Sequence, residues 1–111
     1  MTRLYLKEIY YCTLHLLKNG APVTGKSPVL NIMRNSDGRF LKPGTGNWNL
    51  APEDISLIER VQGIYTYSID MSIYYNFAGS YTLIYKYNDN GVVLQEIEQV
   101  LFERRNISRL V

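Results

Sequence analysis

Two stretches of alternating side chains constrain the fold of this chain more than any other feature. Residues 65–71 and 81–87 each place a large apolar side chain at every second position, with mostly polar residues between them. Successive side chains of a strand point to opposite faces, so this period of two predicts two strands. Gly63 and Gly79 precede the stretches and Asn88-Asp89-Asn90-Gly91 follows the second, as is typical of strands bounded by turns.

Further extended segments are predicted at residues 10–17, 28–34, 39–41 and 92–102. They are separated by turn signals such as Lys18-Asn19-Gly20 and Asn35-Ser36-Asp37-Gly38. Residues 52–61 are ambiguous, because their apolar positions fit both helical and strand spacing, and we favour a strand or a turn. About seven short strands at this spacing predict an all-β fold, a single antiparallel β-sandwich.

The chain has 111 residues, enough for one domain with its own core. We expect an N-terminal arm at 1–9, the sandwich at 10–103 and a basic C-terminal tail at 104–111. The net charge is +2, and residues 103–111 supply all of it, with Arg104, Arg105 and Arg109 against Glu103. The rest of the chain is neutral, which argues against nucleic-acid binding. No apolar run is long enough to span a membrane, and folding in a cytoplasm is the expectation.

Residues Gly20 to Ser27 read G-A-P-V-T-G-K-S and match the phosphate-loop pattern G-x-x-x-x-G-K-[ST]. That motif needs a helix beginning at the Gly-Lys pair, because the helix N-terminus holds the phosphates. Pro28 follows directly and the next residues are predicted to be extended. We therefore interpret the match as fortuitous and predict no nucleotide site.

Other residues with chemical potential are isolated in the sequence. His15 is the only histidine and lies in a predicted strand, while Asp37 and Asp89 belong to turn signals. Cys12 is the only cysteine, which excludes an internal disulfide and any cysteine-based metal spacing. We predict no catalytic residue, no metal, no cofactor and no enzymatic activity.

The chain has features of a binding protein. Its ten tyrosines suit pleated surfaces and interfaces. Trp48 stands in a glycine-rich loop, either as a plug beneath that loop or as an exposed anchor for a sugar or protein. Both ends mix apolar and charged residues and are predicted to dock onto a neighbour. The predicted interface residues are Tyr5, Leu6, Trp48, Arg104, Arg105, Arg109 and Leu110.

The segment Ala78-Gly79-Ser80-Tyr81-Thr82-Leu83 resembles the tyrosine corner of immunoglobulin-like domains. Leu83 takes the place of the second cysteine of that family. The resemblance implies an immunoglobulin-like sandwich in which Gly79 and Tyr81 have structural roles, the Tyr81 hydroxyl locking onto the backbone. The missing disulfide agrees with folding in a reducing cell.

A longer series of motifs over residues 28–102 resembles the compact β-sandwich domains of tailed-phage virions. The resemblance implies a non-enzymatic virion protein, with an auxiliary capsid protein on the outer shell as the leading expectation. Its partners would be major capsid or other virion proteins, and it could form homo-oligomers. The alternatives are a head-fibre or tail and baseplate component, or a carbohydrate- or cell-surface-binding module.

Overall fold

The computed structural model of this chain describes residues 2–5, 9–70 and 78–103. Within these ranges every regular element is a β-strand, so the predicted all-β fold is confirmed. The strands are β1 (Thr2–Tyr5), β2 (Ile9–His15), β3 (Leu17–Lys18), β4 (Ala21–Pro22), β5 (Val29–Arg34), β6 (Arg39–Leu41), β7 (Trp48–Asn49), β8 (Ile55–Ser56), β9 (Ile58–Val61), β10 (Ile64–Asp70), β11 (Gly79–Asp89) and β12 (Val92–Glu103).

The larger sheet contains seven of these strands. Its order is β1-β12-β11-β5-β6-β7, and β8 pairs with the start of β5. β11 and β12 form a long hairpin whose pairing extends from Asp89 opposite Val92 to Gly79 opposite Phe102. β1 lies parallel to β12, with Thr2 opposite Val100, at the outer edge of the sheet.

The smaller sheet has the order β2-β10-β9, with both pairings antiparallel. β2 and β10 are in register from Ile64 opposite His15 to Asp70 opposite Ile9. The pairing with β9 shifts by one residue between Ile64 and Tyr65, a β-bulge. β3 and β4 form a separate short hairpin.

Apolar side chains from both sheets form one core, which makes the pair of sheets a β-sandwich. In β11, Tyr81, Leu83 and Tyr85 are buried at alternate positions, as the sequence period predicts. Each fully buried leucine or isoleucine contributes about 2 kcal/mol of transfer free energy. The buried apolar residues are Cys12, Leu14, Leu30, Ile32, Leu41, Ile55, Leu57, Tyr65, Ile69, Tyr81, Leu83, Tyr85, Val100 and Phe102.

The described residues contain twelve strands, whereas the sequence predicts about seven. The difference comes from short strands of two to four residues, which a periodicity of two cannot reveal. They are β1, β3, β4, β7 and the division of residues 52–61 into β8 and β9. The predicted strand at 10–17 is interrupted at Leu16, whose amide donates to the carbonyl of Gly63 (2.8 Å) and whose carbonyl accepts from Val23 (2.9 Å). Residues 52–61 contain β8 and β9, as we favoured, and no helix.

The N-terminal segment predicted as an arm contributes a strand to the sheet of its own molecule. Residues 2–5 form β1 and pair with β12, so this part of the segment is built into the sandwich. The predicted tail at 104–111 and the predicted strand position of Met71 lie outside the described residues.

Two tight turns have the left-handed backbone that their sequences predict. Asn19 and Gly20 have φ of 53° and 78°, and Asn90 and Gly91 have φ of 51° and 90°. Positive φ at both central residues is the geometry of the two-residue hairpin turn, which asparagine and glycine tolerate best. Gly63 also has a positive φ, 75°, and a Cβ there would lie 2.9 Å from the Cβ of Pro22.

Candidate interaction surfaces

The loop that matches the phosphate-binding pattern is held by side chains of the smaller sheet. The carboxylate of Glu59 accepts hydrogen bonds from the amides of Gly25 and Gly63, both 3.0 Å long. The hydroxyl of Tyr65 accepts from the amide of Lys26 (3.2 Å) and donates to the carbonyl of Val23 (2.8 Å). The loop is therefore fixed to β9 and β10 at three of its residues.

This arrangement uses the amides that would have to face a phosphate. A phosphate loop leaves its amides available and continues into a helix, whereas this loop directs two amides at Glu59 and Tyr65 and continues into β5. The donors to Glu59 lower the pKa of its carboxyl group, Gly63 having the larger effect. An internal carboxylate thus occupies part of the position that an external anion would take.

Lys26 itself lines a groove of about 280 Å³ between this loop and the tip of the β11–β12 hairpin. Small-molecule sites usually enclose about 300–1,000 Å³, so the groove is at the lower limit. Its lining is mixed, with two lysines, one aspartate and several apolar side chains. The lining residues are Leu16, Leu17, Lys18, Val23, Lys26, Tyr87, Asp89, Asn90 and Leu94.

Trp48 is half-buried and packs against the core. Its ring stacks on Tyr81 with the centroids 5.6 Å apart, and the guanidinium of Arg34 lies 4.5 Å from the centroid. Arg34 in turn forms an ion pair with Asp37 (2.6 Å), and this pair lowers the pKa of Asp37 to about 2. Of the two positions considered for Trp48, the structure places it beneath Arg34 and against the sheet.

Tyr81 and Gly79, the predicted structural residues, lie at the start of β11. The Tyr81 ring is buried and contacts Phe102 edge to face, with the centroids 5.5 Å apart. Burial is the main reason that the pKa of Tyr81 rises to about 12. Gly79 opens the strand with a φ of 131°, a backbone conformation that side chains resist.

A cluster of polar side chains lies between the two sheets where β2 approaches β12. The hydroxyls of Tyr10 and Tyr85 both donate to Glu98, at 3.4 and 3.5 Å. Cys12 is fully buried beside Tyr85, and burial raises the pKa of its thiol and of both tyrosines. These groups connect the two sheets, and the raised pKa of the thiol makes it a poor nucleophile.

The outer face of the smaller sheet exposes a first set of apolar side chains. Opposed residues of antiparallel strands point to the same face, so Val61, Ile64 and His15 form one row across the sheet. Ile58 lies in the next row, opposite Thr66. Val61 and Ile58 are 62% and 57% exposed, which makes this face a candidate docking surface.

The tip of the β11–β12 hairpin exposes a second set. Val92, Val93, Leu94 and Ile97 are four of the nine large apolar side chains that are exposed in the described residues. They fall within six consecutive positions of β12. The sequence predicts this strand but gives no sign that its first half projects into solvent.

Two of the predicted interface residues belong to the part of the chain that the structure describes. Tyr5 is the last residue of β1, and Trp48 lies in the cluster described above. Leu6, Arg104, Arg105, Arg109 and Leu110 lie outside the described residues, so their predicted role stays a prediction. The exposed residues of β9 and β12 were missed because an apolar residue in a strand is expected to be buried.

In the part of the chain that the structure describes, no three His, Cys, Asp or Glu residues are grouped to hold a metal ion. The same part contains no helix long and apolar enough to cross a membrane. The absence of enzymatic activity stays a prediction.

Over the described residues, the fold is an all-β sandwich domain that exposes these two sets of apolar side chains. Comparison with protein-family models, with curated proteins and with solved structures found no match to this chain.

Proposed function

We propose that this chain is a non-enzymatic structural protein of a tailed-phage virion, an auxiliary capsid protein that binds the outer shell. The observation that carries the proposal is the exposure of large apolar side chains on the outer face of the smaller sheet, above all Ile58 and Val61. Monomeric domains seldom expose clustered apolar residues without a partner. A shell subunit is the partner that the resemblance to virion sandwiches suggests.

The strand order supports the immunoglobulin-like topology that the resemblance to virion sandwich domains implies. In variable-type immunoglobulin domains the strands G, F and C lie side by side with the C′ strands beyond, and the other sheet contains B, E and D. Here β12, β11 and β5 correspond to G, F and C, with β6 and β7 beyond. β2, β10 and β9 correspond to B, E and D.

The mechanism is added contact area. Burying apolar surface contributes roughly 25 cal/mol per Å², from which the loss of motional freedom on binding is subtracted. A single contact through the face around Ile58 and Val61 is therefore weak. Repetition over a symmetric shell, with many copies acting together, makes the sum stabilising for the particle.

The position of Trp48 favours this function over a carbohydrate-binding module. Stacking on a sugar needs an aromatic face presented to solvent, whereas the Trp48 ring packs on Tyr81 and lies beneath Arg34. The ring therefore supports the loop. The head-fibre and tail alternatives share the assembly mechanism and differ in location on the particle.

The test is the protein content of purified virus particles. The chain should be present in a high copy number that matches the symmetry of the capsid, and its density should lie on the shell. The double substitution Ile58→Glu with Val61→Glu should abolish incorporation, because both side chains are exposed and the fold should tolerate the change. Leu50→Glu, at an exposed leucine between β7 and β8, is the matched control. Absence of the wild-type chain from particles, or its location on the tail, would overturn the proposal.

A further inference from the structure

Within the described residues, β12 has a free edge over most of its length. On one side it pairs with β11 throughout, without a shift in register. On the other side it pairs with β1 from Val100 to Glu103. Among the described strands none pairs with the stretch from Val92 to Gln99 on that side. Free edges are usually protected by charged side chains, especially lysine, by proline or by a bulge. The stretch V-V-L-Q-E-I-E-Q carries two glutamates but no lysine and no proline, and its pairing with β11 has no bulge.

The face of this stretch that points away from the smaller sheet is symmetric in sequence. Val100 and Phe102 are buried in the core, so the odd-numbered positions of β12 point outward. Val93, Gln95 and Ile97 occupy these positions as apolar, amide, apolar. A two-fold axis through Gln95 would place apolar opposite apolar and amide opposite amide, which is the requirement for a contact between identical surfaces.

We propose that two copies of this chain pair edge to edge through antiparallel β12 strands, with the two-fold axis at Gln95. The inference rests on the assembly role proposed above, and it names a second copy of the chain as one partner. Val93 of one copy lies opposite Ile97 of the other. Leu94 lies opposite Glu96 of the second copy, and the two larger sheets become one continuous sheet.

Charge excludes the registers centred on the C-terminal side of Gln95. A two-fold axis perpendicular to the sheet leaves each side chain on the same face of the sheet, and directly opposite residues of antiparallel strands share a face. The axis must therefore pass beside a residue that pairs with its own copy, and it cannot lie between two successive residues. An axis at Glu96 would oppose that carboxylate to its own copy, and an axis at Ile97 would oppose Glu96 to Glu98. Like charges directly opposite each other destabilise a strand pair. The axis at Gln95 places no carboxylate opposite another.

The ends of the free edge favour the same register. With the axis at Gln95, residues 92–98 of each copy are paired. Gln99 then falls opposite Gly91, in the turn that joins β11 to β12. The β1 strand of the second copy, which begins beside Val100, therefore lies just past the turn. An axis at Leu94 also avoids opposed carboxylates, but it pairs only residues 92–96 of each copy because the chain turns at Gly91.

Cysteine cross-linking of the purified chain tests the register. Gln95→Cys should form a covalent dimer on mild oxidation, because side chains directly opposite each other are about 5 Å apart at Cβ. Val93→Cys and Ile97→Cys should each fail to cross-link when oxidised alone, since identical positions in the dimer are about 13 Å apart. A mixture of the two should cross-link. Ser68→Cys, exposed on the smaller sheet, is the control, and the native Cys12 is buried.

Substitutions that place charges at position 95 test the association without an introduced cysteine. Gln95→Glu and Gln95→Lys should each weaken dimerisation about fivefold in sedimentation experiments, and their mixture should restore it. Monomers throughout the concentration series, or cross-linking of Val93→Cys alone as readily as of the mixture, would overturn the pairing. If the chain is found in particles but Gln95→Cys does not cross-link there, the pairing fails and the virion role stands. If it dimerises but is absent from particles, the virion role fails.

Discussion

The carboxylate of Glu59 on β9 accepts a hydrogen bond from the amide of Gly25, which is 34 residues earlier in the chain. The same side chain accepts from Gly63 in the turn before β10. One carboxylate thus connects the loop that resembles a phosphate-binding loop to the smaller sheet. The Glu59 carboxylate therefore takes the hydrogen bond from the Gly25 amide that a bound phosphate would have to accept.

Glu59→Gln should lower the urea midpoint of unfolding, because a neutral amide accepts the bonds from Gly25 and Gly63 less strongly than a carboxylate does. Amide hydrogen exchange at these two glycines should accelerate in the variant. Glu96→Gln, at an exposed carboxylate on β12, is the control and should leave both quantities unchanged. Equal midpoints for Glu59→Gln and wild type would show that the carboxylate does not hold the loop.

The stabilisation by Glu59 should depend on pH. Hydrogen bonds from the Gly63 and Gly25 amides hold the pKa of this carboxyl group below its ordinary value of 4.5. A depressed pKa in the folded state means that the stabilisation is complete above pH 4.5 and is lost as the pH falls through the folded-state pKa. The difference in midpoint between wild type and Glu59→Gln should therefore shrink on acidification below that pH. A constant difference down to pH 3 would contradict the assignment.

Trp48 should stabilise the loop between β6 and β8. Trp48→Ala should cost about 2 kcal/mol of unfolding free energy, since it removes a half-buried ring and its stacking on Tyr81. Trp48→Phe should recover part of this loss. Trp48 is the only tryptophan, so its fluorescence reports this site, and its unfolding transition should coincide with that of circular dichroism. A fluorescence change well before global unfolding would show that the ring is not part of the core.

Cys12 should be unreactive in the folded protein. Its side chain is fully buried, and burial raises the pKa of the thiol, which reduces the fraction of thiolate. Alkylation by iodoacetamide should be slow in buffer and fast in urea. A Cys12→Ala variant with Ser68→Cys, where the thiol is exposed, should react at the same rate in both. Rapid modification of native Cys12 would mean that the sandwich opens at β2.

The sequence predicts the strands better than it predicts their neighbours. The alternation in residues 64–70 and 79–89 is local, and so are the turns at Asn19-Gly20 and Asn90-Gly91. Which strand lies beside β12, and where that neighbour ends, depends on contacts between distant residues. The Arg34 contact with Trp48 and the bridge from Glu59 to Gly25 also join residues remote in sequence, and no spacing rule relates them. The exposed surfaces were missed because an apolar residue in a strand is expected to be buried, and whether it is depends on which distant strand covers it.

Asn31 provides a test of how the segment before β8 is attached to the larger sheet. Although polar, Asn31 is only 2% exposed. Its side-chain amide donates to the carbonyl of Glu53 (2.7 Å) and to the carboxylate of Asp54 (2.9 Å), which also receives Lys86 (3.1 Å). Asn31→Leu should cost about 2 kcal/mol, because it leaves the carbonyl of Glu53 without this donor.

The same substitution should change the titration of Asp54. Asn31 is the largest cause of the lowered pKa of that carboxyl group, and Lys86 is the next. In Asn31→Leu the pKa should rise toward its ordinary value of 3.8, and Lys86→Met should also raise it, because Lys86 lowers it through a hydrogen bond and through its charge. Both are measurable by NMR titration of the carboxyl carbon. A Gln62→Leu control, in the exposed turn before β10, should change neither stability nor titration. If Asn31→Leu left the titration of Asp54 unchanged and only Lys86→Met altered it, the ion pair and not the buried amide would be what fixes this segment to the sheet.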